Sequence, residues 1–333
     1  AESSEISRMN ILKAHNQTSF AMQPVYQLDQ YGKEKLSKTS LSLTSCIERY
    51  LDAKRNVLLF SKGVILVEGD AEEILLPNMV KSAYGISLDE IGVGLVNVGS
   101  TAFEYVASVF DSMRIQRFCA IVTDLDKQAV LSTSSYYKDG AEAKGKERQE
   151  KLNRLYASNP WVDTYYAEHT FEIEFINNGD NHTYLASAVN KIYVQEAAIT
   201  KHQSRVKDGG TRNEEALALA KKEGKGWLAT LLAGELDECV SIPEYLVDAI
   251  AFAAQETMTI QIYQKMLKYS LSYYDEDDVA EYLTTLSEAD NDELLIDSIN
   301  SILSDSDYED DEVVKFINAC EWNIGLLSDG ESS

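Results

Sequence analysis

Between Gly63 and Asp126 the sequence divides into alternating segments of two kinds. GVILVEG, GLVNVGS and RFCAIVTDLD are short apolar runs with strand character, while AEEILLPNMVKSAYG and TAFEYVASVFDSMR carry apolar residues near helical spacing. Strands and helices alternating through short connections predict a parallel sheet with helices packed on it. Sheets of that kind place their chemistry at the carboxyl ends of the strands. Two of the three strands end in acid. The first runs into VEGDAEE, residues 67–73, with four carboxylates in seven positions, and the third delivers Asp124 and Asp126. Carboxylates so crowded repel one another unless cations or separated directions relieve them.

Glu72 lies four residues beyond Glu68, one helical turn on, and can face the same edge. Hard oxygen donors converging at a sheet edge suit magnesium or manganese. Histidine is scarce, with four in the chain and no pair at zinc spacing. Glu73 reads as a helix-start charge favoured by the helix dipole, and Asp70 as an N-cap. For Glu68, Asp124 and Asp126 a purely structural explanation is weaker, because all three fall at one edge without an evident basic partner.

The chain is long enough, at 333 residues, for a substantial core and two or three domains, and 44% apolar with 26% charged residues describes an ordinary globular composition. A formal charge of -25 looks wrong for a protein that handles nucleic acid, but it is unevenly spread. From Gly226 onward 25 acidic residues face only Lys265, Lys268 and Lys315, a local charge of -22, so the remainder sums to about -3. A basic zone runs through Lys138, Lys144, Lys146, Arg148, Lys151 and Arg154, then Lys201, Arg205, Lys207, Arg212, Lys221, Lys222 and Lys225. Such a zone can hold a polyanion, although any single lysine in it reads equally as a solvated helix face. Cys46, Cys119, Cys239 and Cys320 are too dispersed for a zinc knuckle or a disulfide framework, which favours a reducing, cytoplasmic setting. No run is long and apolar enough to span a bilayer, so no membrane partner is expected. The first residue is Ala1, as expected of a processed chain or of a piece of a longer one.

Outside the alternating region, residues 1–42 are polar and weakly patterned, and SLTSCIERYLDAKRNVLLF reads as a helix. A polar stretch after Asp126 ends near Asn159-Pro160, followed by a short strand, TYYAE, and by TFEIEF. From about Glu174 the pattern is almost wholly helical, with acidic stretches YDEDDVAEY and SDSDYEDDE. LLIDSINSIL and VVKFINACEWNIGLL carry too many regularly spaced apolar residues for a disordered acidic tail. A folded helical module is expected there, with faces such as YLVDAIAFAA available to a second subunit in a homodimer. GAEAKGKE, residues 140–147, nearly matches a phosphate-binding P-loop, but Glu147 stands where Ser or Thr should hold magnesium and no apolar strand precedes it. It reads as a solvent loop, and no nucleotide cofactor is expected.

An E-G strand end, an acid on the following helix and a D-x-D closing a later strand resemble the signature of Toprim domains, shared by topoisomerases, primases and the OLD (overcoming lysogenisation defect) nucleases. The stretch RNVLLFSKGVILVEGDAEEILLP is similar to the entry into the Toprim sheet in the OLD branch. HTFEIEF, with Glu172 and Glu174, is similar to the acidic segment after that sheet, and GKGWLATLLA, with Lys225, to a lysine-bearing helix start. The resemblance covers about residues 45–235.

It implies an α/β fold in which a Toprim-type parallel sheet flanked by helices is followed by a mainly helical domain. Residues 1–55 would be a linker and helix leading out of an ATPase domain present in the full-length chain, 56–180 the catalytic domain, and 181–333 a helical domain with an acidic end. The activity implied is DNA endonuclease chemistry with two divalent cations, Mg2+ or Mn2+, with Ca2+ expected to occupy the site without turnover. Two cations about 4 Å apart activate water and neutralise charge on the phosphoryl and leaving oxygens. Glu72, Asp124 and Asp126 are the ligands expected, Glu68 a ligand or the general acid-base, and Glu172 and Glu174 the second metal's completing shell. Lys225 would face the scissile phosphate, and Lys144, Lys146, Arg148, Lys221 and Lys222 would hold DNA.

Two other readings remain at this point. A haloacid-dehalogenase-like phosphatase would use Asp124 in VTDLDKQ as nucleophile, but its motif needs Thr or Val where Gln128 stands, and it leaves VEGDAEE unexplained. A non-catalytic reading makes the acidic helices a dimerisation or partner-binding module. A topoisomerase would need a nucleophilic tyrosine on another domain, and a primase a cysteine-rich zinc module that these cysteines do not make.

Overall fold

The computed structural model describes residues 6–15, 18–30, 44, 47, 57–99, 103–129 and 140–320. It opens with an antiparallel hairpin of β1 (Ile11–His15) and β2 (Thr18–Met22), then a short helix α1 (Val57–Phe60). The central region alternates β3 (Gly63–Val67), α2 (Asp70–Tyr84), β4 (Val93–Asn97), α3 (Phe103–Ala107), β5 (Cys119–Asp124), α4 (Ala141–Tyr156) and β6 (Val162–Ala167). Helices follow: α5 (Phe171–Asn177), α6 (His182–Ile192), α7 (Glu196–Lys207), α8 (Arg212–Glu223), α9 (Lys225–Ala233), α10 (Glu244–Ala254), α11 (Ile260–Leu271), α12 (Glu276–Glu288), α13 (Asp292–Leu303) and α14 (Glu312–Ala319).

The sheet is wholly parallel, in the order β4-β3-β5-β6. β3 and β5 are its inner strands, covered on both faces, which is why GVILV and CAIV are continuous apolar runs rather than alternating ones. Alternation survives in the direction each residue points. Ile65, Val67, Ala120 and Val122 enter a core shared with α2, α5 and α10, whereas Val64, Leu66, Cys119 and Ile121 enter one shared with α1, α3, α4 and the hairpin. Register Ile65↔Ala120 and Leu66↔Ile121 brings the carboxyl ends of β3 and β5 side by side. Glu68 and Asp124 are thereby neighbours by topology, 56 positions apart in sequence.

The helical remainder packs on this unit directly. α10 lies against the sheet, with Leu246, Val247, Ala249, Ile250, Ala251, Ala253 and Ala254 buried. The apolar face of YLVDAIAFAA, expected to meet a second subunit, is therefore used within the chain. One apolar core continues from the sheet through α14, so residue 180 is not a gap in the packing. The acidic region is folded, with Val279, Leu286, Leu295, Ile299, Ile302, Val313, Val314, Phe316 and Ile317 buried and the carboxylates largely on the outside.

Several local expectations are corrected. Within residues 1–55 the described part contains a hairpin, which the sparse apolar residues Ile11, Phe20 and Met22 did not announce. The helix read over 42–60 is described at Thr44, Ile47 and Val57–Phe60, helical at each, and its other residues, Cys46 included, lie outside the described residues. TAFEYVASVFDSMR is helical at Phe103–Ala107, after which Phe110 pairs with Ile115 and the buried Arg114 donates to the Ser108 carbonyl. Residues 141–147 are neither loop nor P-loop. They open α4, whose Gly145 lies against the backbone of Leu125, where an added Cβ would come within 2.3 Å of a carbonyl oxygen. TFEIEF, left unassigned by its pattern, opens α5 with Thr170 as the N-cap. Among the described residues no helix is long and apolar enough to cross a membrane.

At the start of β3 the chain has no room for a side chain. A Cβ on Gly63 would stand 1.8 Å from the Ala253 carbonyl oxygen at the end of α10. Gly63→Ala must push α10 off the sheet, and a backbone atom cannot rotate away as a side chain can. The expected loss is about 3 kcal/mol, at the upper end of ordinary overpacking, measured by urea unfolding. A cost below about 1 kcal/mol, the size of an ordinary substitution, would show that α10 is not seated against β3 as described.

Candidate active site

VEGDAEE resolves its own repulsion by sending its carboxylates in different directions. Helix α2 begins immediately after β3, with Gly69 as its N-cap and no side-chain cap, so Asp70 is not the cap that its position implied. Asp70 and Glu73 instead both accept from the Asn97 side-chain amide, each at 2.9 Å, at the end of β4. Glu68 accepts from the Thr123 hydroxyl at 2.9 Å. Glu72 turns inward and is 6% exposed.

Opposite them β5 ends at Asp124, and the chain turns at Asp126, which has a φ of 53°. That left-handed conformation is tolerated by Asp better than by most residues. Asp124 Oδ2 accepts from the Phe171 backbone N–H at 3.2 Å, so the start of α5 is tied to the end of β5. Its Oδ1 is buried without a partner, as is Glu172 Oε1 on α5. Lys225, at the start of α9, places its ammonium 3.0 Å from Glu172 Oε2. Arg148, on α4, holds its guanidinium 3.8 Å from Glu68 Oε2 and 3.7 Å from Asp126 Oδ2, and donates to the Asp124 carbonyl oxygen.

The electrostatics follow from this crowding. Burial, aided by Glu172 and Glu68, pushes the Glu72 carboxyl up to about 7 despite a backbone hydrogen bond and Lys225. Asp124 is driven well above the usual carboxylate range by burial, then by Glu72 and Glu172, with Lys225 opposing. Asp126 is raised by burial and Glu68, with Arg148 working against them. Partial desolvation would lower the Lys225 ammonium, although its side chain is 57% exposed, but Glu172, Asp124 and Glu72 outweigh it and hold the ammonium charged. Tyr245 of α10 lies beneath the cluster with its hydroxyl buried and unpartnered, and burial with Asp124 and Glu72 nearby keeps it protonated.

Glu68, Glu72, Asp124, Asp126, Glu172 and Lys225 thus share one electrostatic neighbourhood. Glu174 is turned aside: its Oε1 accepts from the His169 backbone N–H at 2.8 Å and lies 2.9 Å from the His169 ring. Arg148, assigned to DNA by its place in a basic run, points into the acids instead. Lys144 and Lys146 are exposed on α4, the latter paired with Glu142. Lys221 and Lys222 are exposed on α8, with the Lys222 ammonium 3.9 Å from the Tyr193 ring centre. Elsewhere in the basic zone Arg205 is engaged by Glu214 and Glu215, and Lys151 by Glu104. Thr123, Asn97 and Tyr245 escaped the sequence reading. Only Thr123 had a signal, its position just before the D-x-D.

Among the described residues, no three Asp, Glu, His or Cys side chains are gathered closely enough to hold a metal ion as they stand. The donor set nevertheless suits a hard divalent cation. It is all carboxylate, it includes two desolvated oxygens with no hydrogen-bond partner, and its members raise one another's proton affinity.

A parallel sheet with a glutamate after one inner strand and a D-x-D after the other defines a Toprim-type fold. The family model described as "Overcoming lysogenization defect protein-like, TOPRIM domain" matches residues 59–126, the span that carries β3, β4, β5 and the acids at their ends. Among solved structures the chain is similar to the C-terminal region of the Burkholderia pseudomallei OLD protein, at 24% identity and a TM-score of 0.46 over 60% of this chain and 100% of that one. It is also similar to the C-terminal region of the Xanthomonas campestris pv. campestris OLD protein, at 21% identity and a TM-score of 0.43 over 60% of this chain and 96% of that one. No curated protein matches the sequence. The domain's family points to a nuclease-type function, and Toprim domains generally bind divalent metals.

The raised Glu72 carboxyl makes stability depend on pH. Its contribution is fully present below the unfolded value near 4.5 and is lost as pH rises through about 7, because the folded state must then bury a charge. In chelator, thermal stability should fall as pH rises from 5 to 7.5. Glu72→Gln should flatten that slope and stabilise the protein at pH 7.5. A pH profile of melting temperature that is the same in both proteins would contradict the placement of Glu72.

Proposed function

We propose that the chain is the catalytic part of a divalent-cation-dependent DNA endonuclease of the OLD type, hydrolysing phosphodiesters with two Mg2+ or Mn2+ ions. The observation that carries the reading is the unpartnered pair of buried oxygens, Asp124 Oδ1 and Glu172 Oε1, within a carboxylate cluster at the carboxyl ends of β3 and β5. Glu68, Glu72, Asp124, Asp126 and Glu172 would hold the ions, which supply water activation and charge neutralisation at the phosphate when bound. Glu174 acts through His169 at the start of α5 rather than as a ligand.

The chain's own groups divide the remaining work. Lys225 stays charged and offers its ammonium to a non-bridging phosphate oxygen, where negative charge grows in the transition state. Thr123 fixes the carboxylate of Glu68, which is the group placed to take or return a proton at the attacking or leaving oxygen. DNA would approach over exposed Lys144 and Lys146 on α4 and Lys221 and Lys222 on α8. The acidic helices beyond Gly226 are packed by their apolar faces, which keeps their charge in fixed positions instead of on a tail that competes with DNA. A phosphatase reading is disfavoured because it requires Asp124 as a free nucleophile, while Asp124 Oδ2 is bound to the Phe171 N–H and its Oδ1 is buried.

Asp126→Ala should keep the overall fold, at a cost of about 1 kcal/mol for alanine at a φ of 53°, and should cut Mn2+-dependent plasmid nicking at least about a hundredfold. Lys225→Met should lower kcat by a similar factor while calorimetric binding of Mn2+ persists. Plasmid nicking by purified Asp126→Ala at the wild-type rate would overturn the assignment.

A further inference from the structure

We infer that Arg148 is an internal counter-cation that stands in for a divalent ion between Glu68 and Asp126, yields when the ion enters, and then presents its guanidinium to the phosphodiester. This rests on the reading of the cluster as a cation site.

Arg148 is poorly satisfied by the partners it has. Its guanidinium is shared between Glu68 and Asp126 at 3.8 and 3.7 Å, too long for the paired hydrogen bonds by which an arginine fork locks onto a carboxylate. Its Nε is buried and makes no hydrogen bond, although the side chain is only 12% exposed. An uncommitted N–H in a desolvated site is costly, and it is relieved by an acceptor able to meet the fork side-on, as two phosphate oxygens can.

The position is nonetheless built. Gly145, three residues earlier on α4, sits against Leu125 between the two aspartates, so the helix is fixed on the D-x-D turn. Arg148 also donates to the Asp124 carbonyl, the last peptide of β5. Its charge thus offsets the repulsion between Glu68 and Asp126 that burial would otherwise sharpen. It also explains why no three acids gather closely enough to hold a metal as they stand. The carboxylates are divided between two organic cations, Arg148 with Glu68 and Asp126, and Lys225 with Glu172. A divalent ion must compete with the first for the same oxygens.

Competition gives a sign that a supporting role would not. Arg148→Gln should bind Ca2+ roughly tenfold more tightly by calorimetry, the order expected on removing one like charge from a half-buried site, while nicking plasmid more slowly in Mn2+. Arg148→Lys should fall between, and Lys315→Gln, which alters an exposed lysine on α14, should leave Ca2+ affinity unchanged. In wild type labelled with 15N-arginine, saturating Ca2+ should move the Arg148 Nε–H resonance, assigned by its loss in Arg148→Lys. Ca2+ binding that is weaker or unchanged in Arg148→Gln overturns the inference. Should that variant not fold, an Arg148 resonance unmoved by Ca2+ overturns it instead. Failure of wild type to bind any Ca2+ or Mn2+ is a different outcome, and it removes the proposed function itself.

Discussion

Mutual repulsion among carboxylates at the carboxyl ends of β3 and β5 is the constraint around which the rest of this structure is arranged. Parallel pairing of these strands forces Glu68 and Asp124 to one edge, and α2 and α5 bring Glu72 and Glu172 to the same place. In water such a cluster is easily tolerated. Here Glu72 and an oxygen of each of Asp124 and Glu172 are out of solvent, and each charge raises the cost of the next. The fold answers with Thr123, the Phe171 N–H, Lys225 and Arg148, each supplied by a different element. None of these neutralises the cluster fully, and the cations proposed above would supply the charge that the side chains do not.

Holding such a site open takes a stiff frame. The inner strands are enclosed on both faces, and α10 seats its alanine-rich surface so closely that Gly63 has no space for a methyl group. The helices after residue 180 therefore do more than follow the sheet. They provide the floor beneath the acids through Tyr245 and, at the start of α9, the ammonium of Lys225. The strongly acidic composition of this part is compatible with the basic DNA-facing surface proposed above because its charges are fixed on folded helices. Their apolar sides are consumed in the same core as the sheet.

How much of this was legible in the sequence depended on how local the physics was. The apolar runs of β3, β4 and β5, and α2 with them, were readable because an apolar strand followed at once by an amphipathic helix has few other solutions. Glu68, Glu72, Asp124 and Asp126 were readable because topology alone sends strand ends to one edge. The hairpin at Ile11–Met22 was not, since its pattern is weak and its partners lie far away in sequence. Arg148 looked like one more surface cation in KGKER, and only the packing of Gly145 on Leu125 turns it inward. YLVDAIAFAA was correctly apolar, yet sequence could not say whether its partner was another subunit or its own sheet. Glu172 and Glu174 part company because an E-x-E on a helix puts its members on different faces: Glu172 looks into the cluster, while Glu174 accepts from the His169 backbone.

The account turns on whether these carboxylates are a divalent-cation site. Anomalous diffraction from crystals grown with Mn2+ tests this directly. The account predicts strong manganese peaks within coordination distance of Glu72, Asp124 and Asp126, with Arg148 withdrawn from Glu68. Crystals in which the cluster is accessible, Mn2+ is abundant and no anomalous density appears among these residues would contradict it.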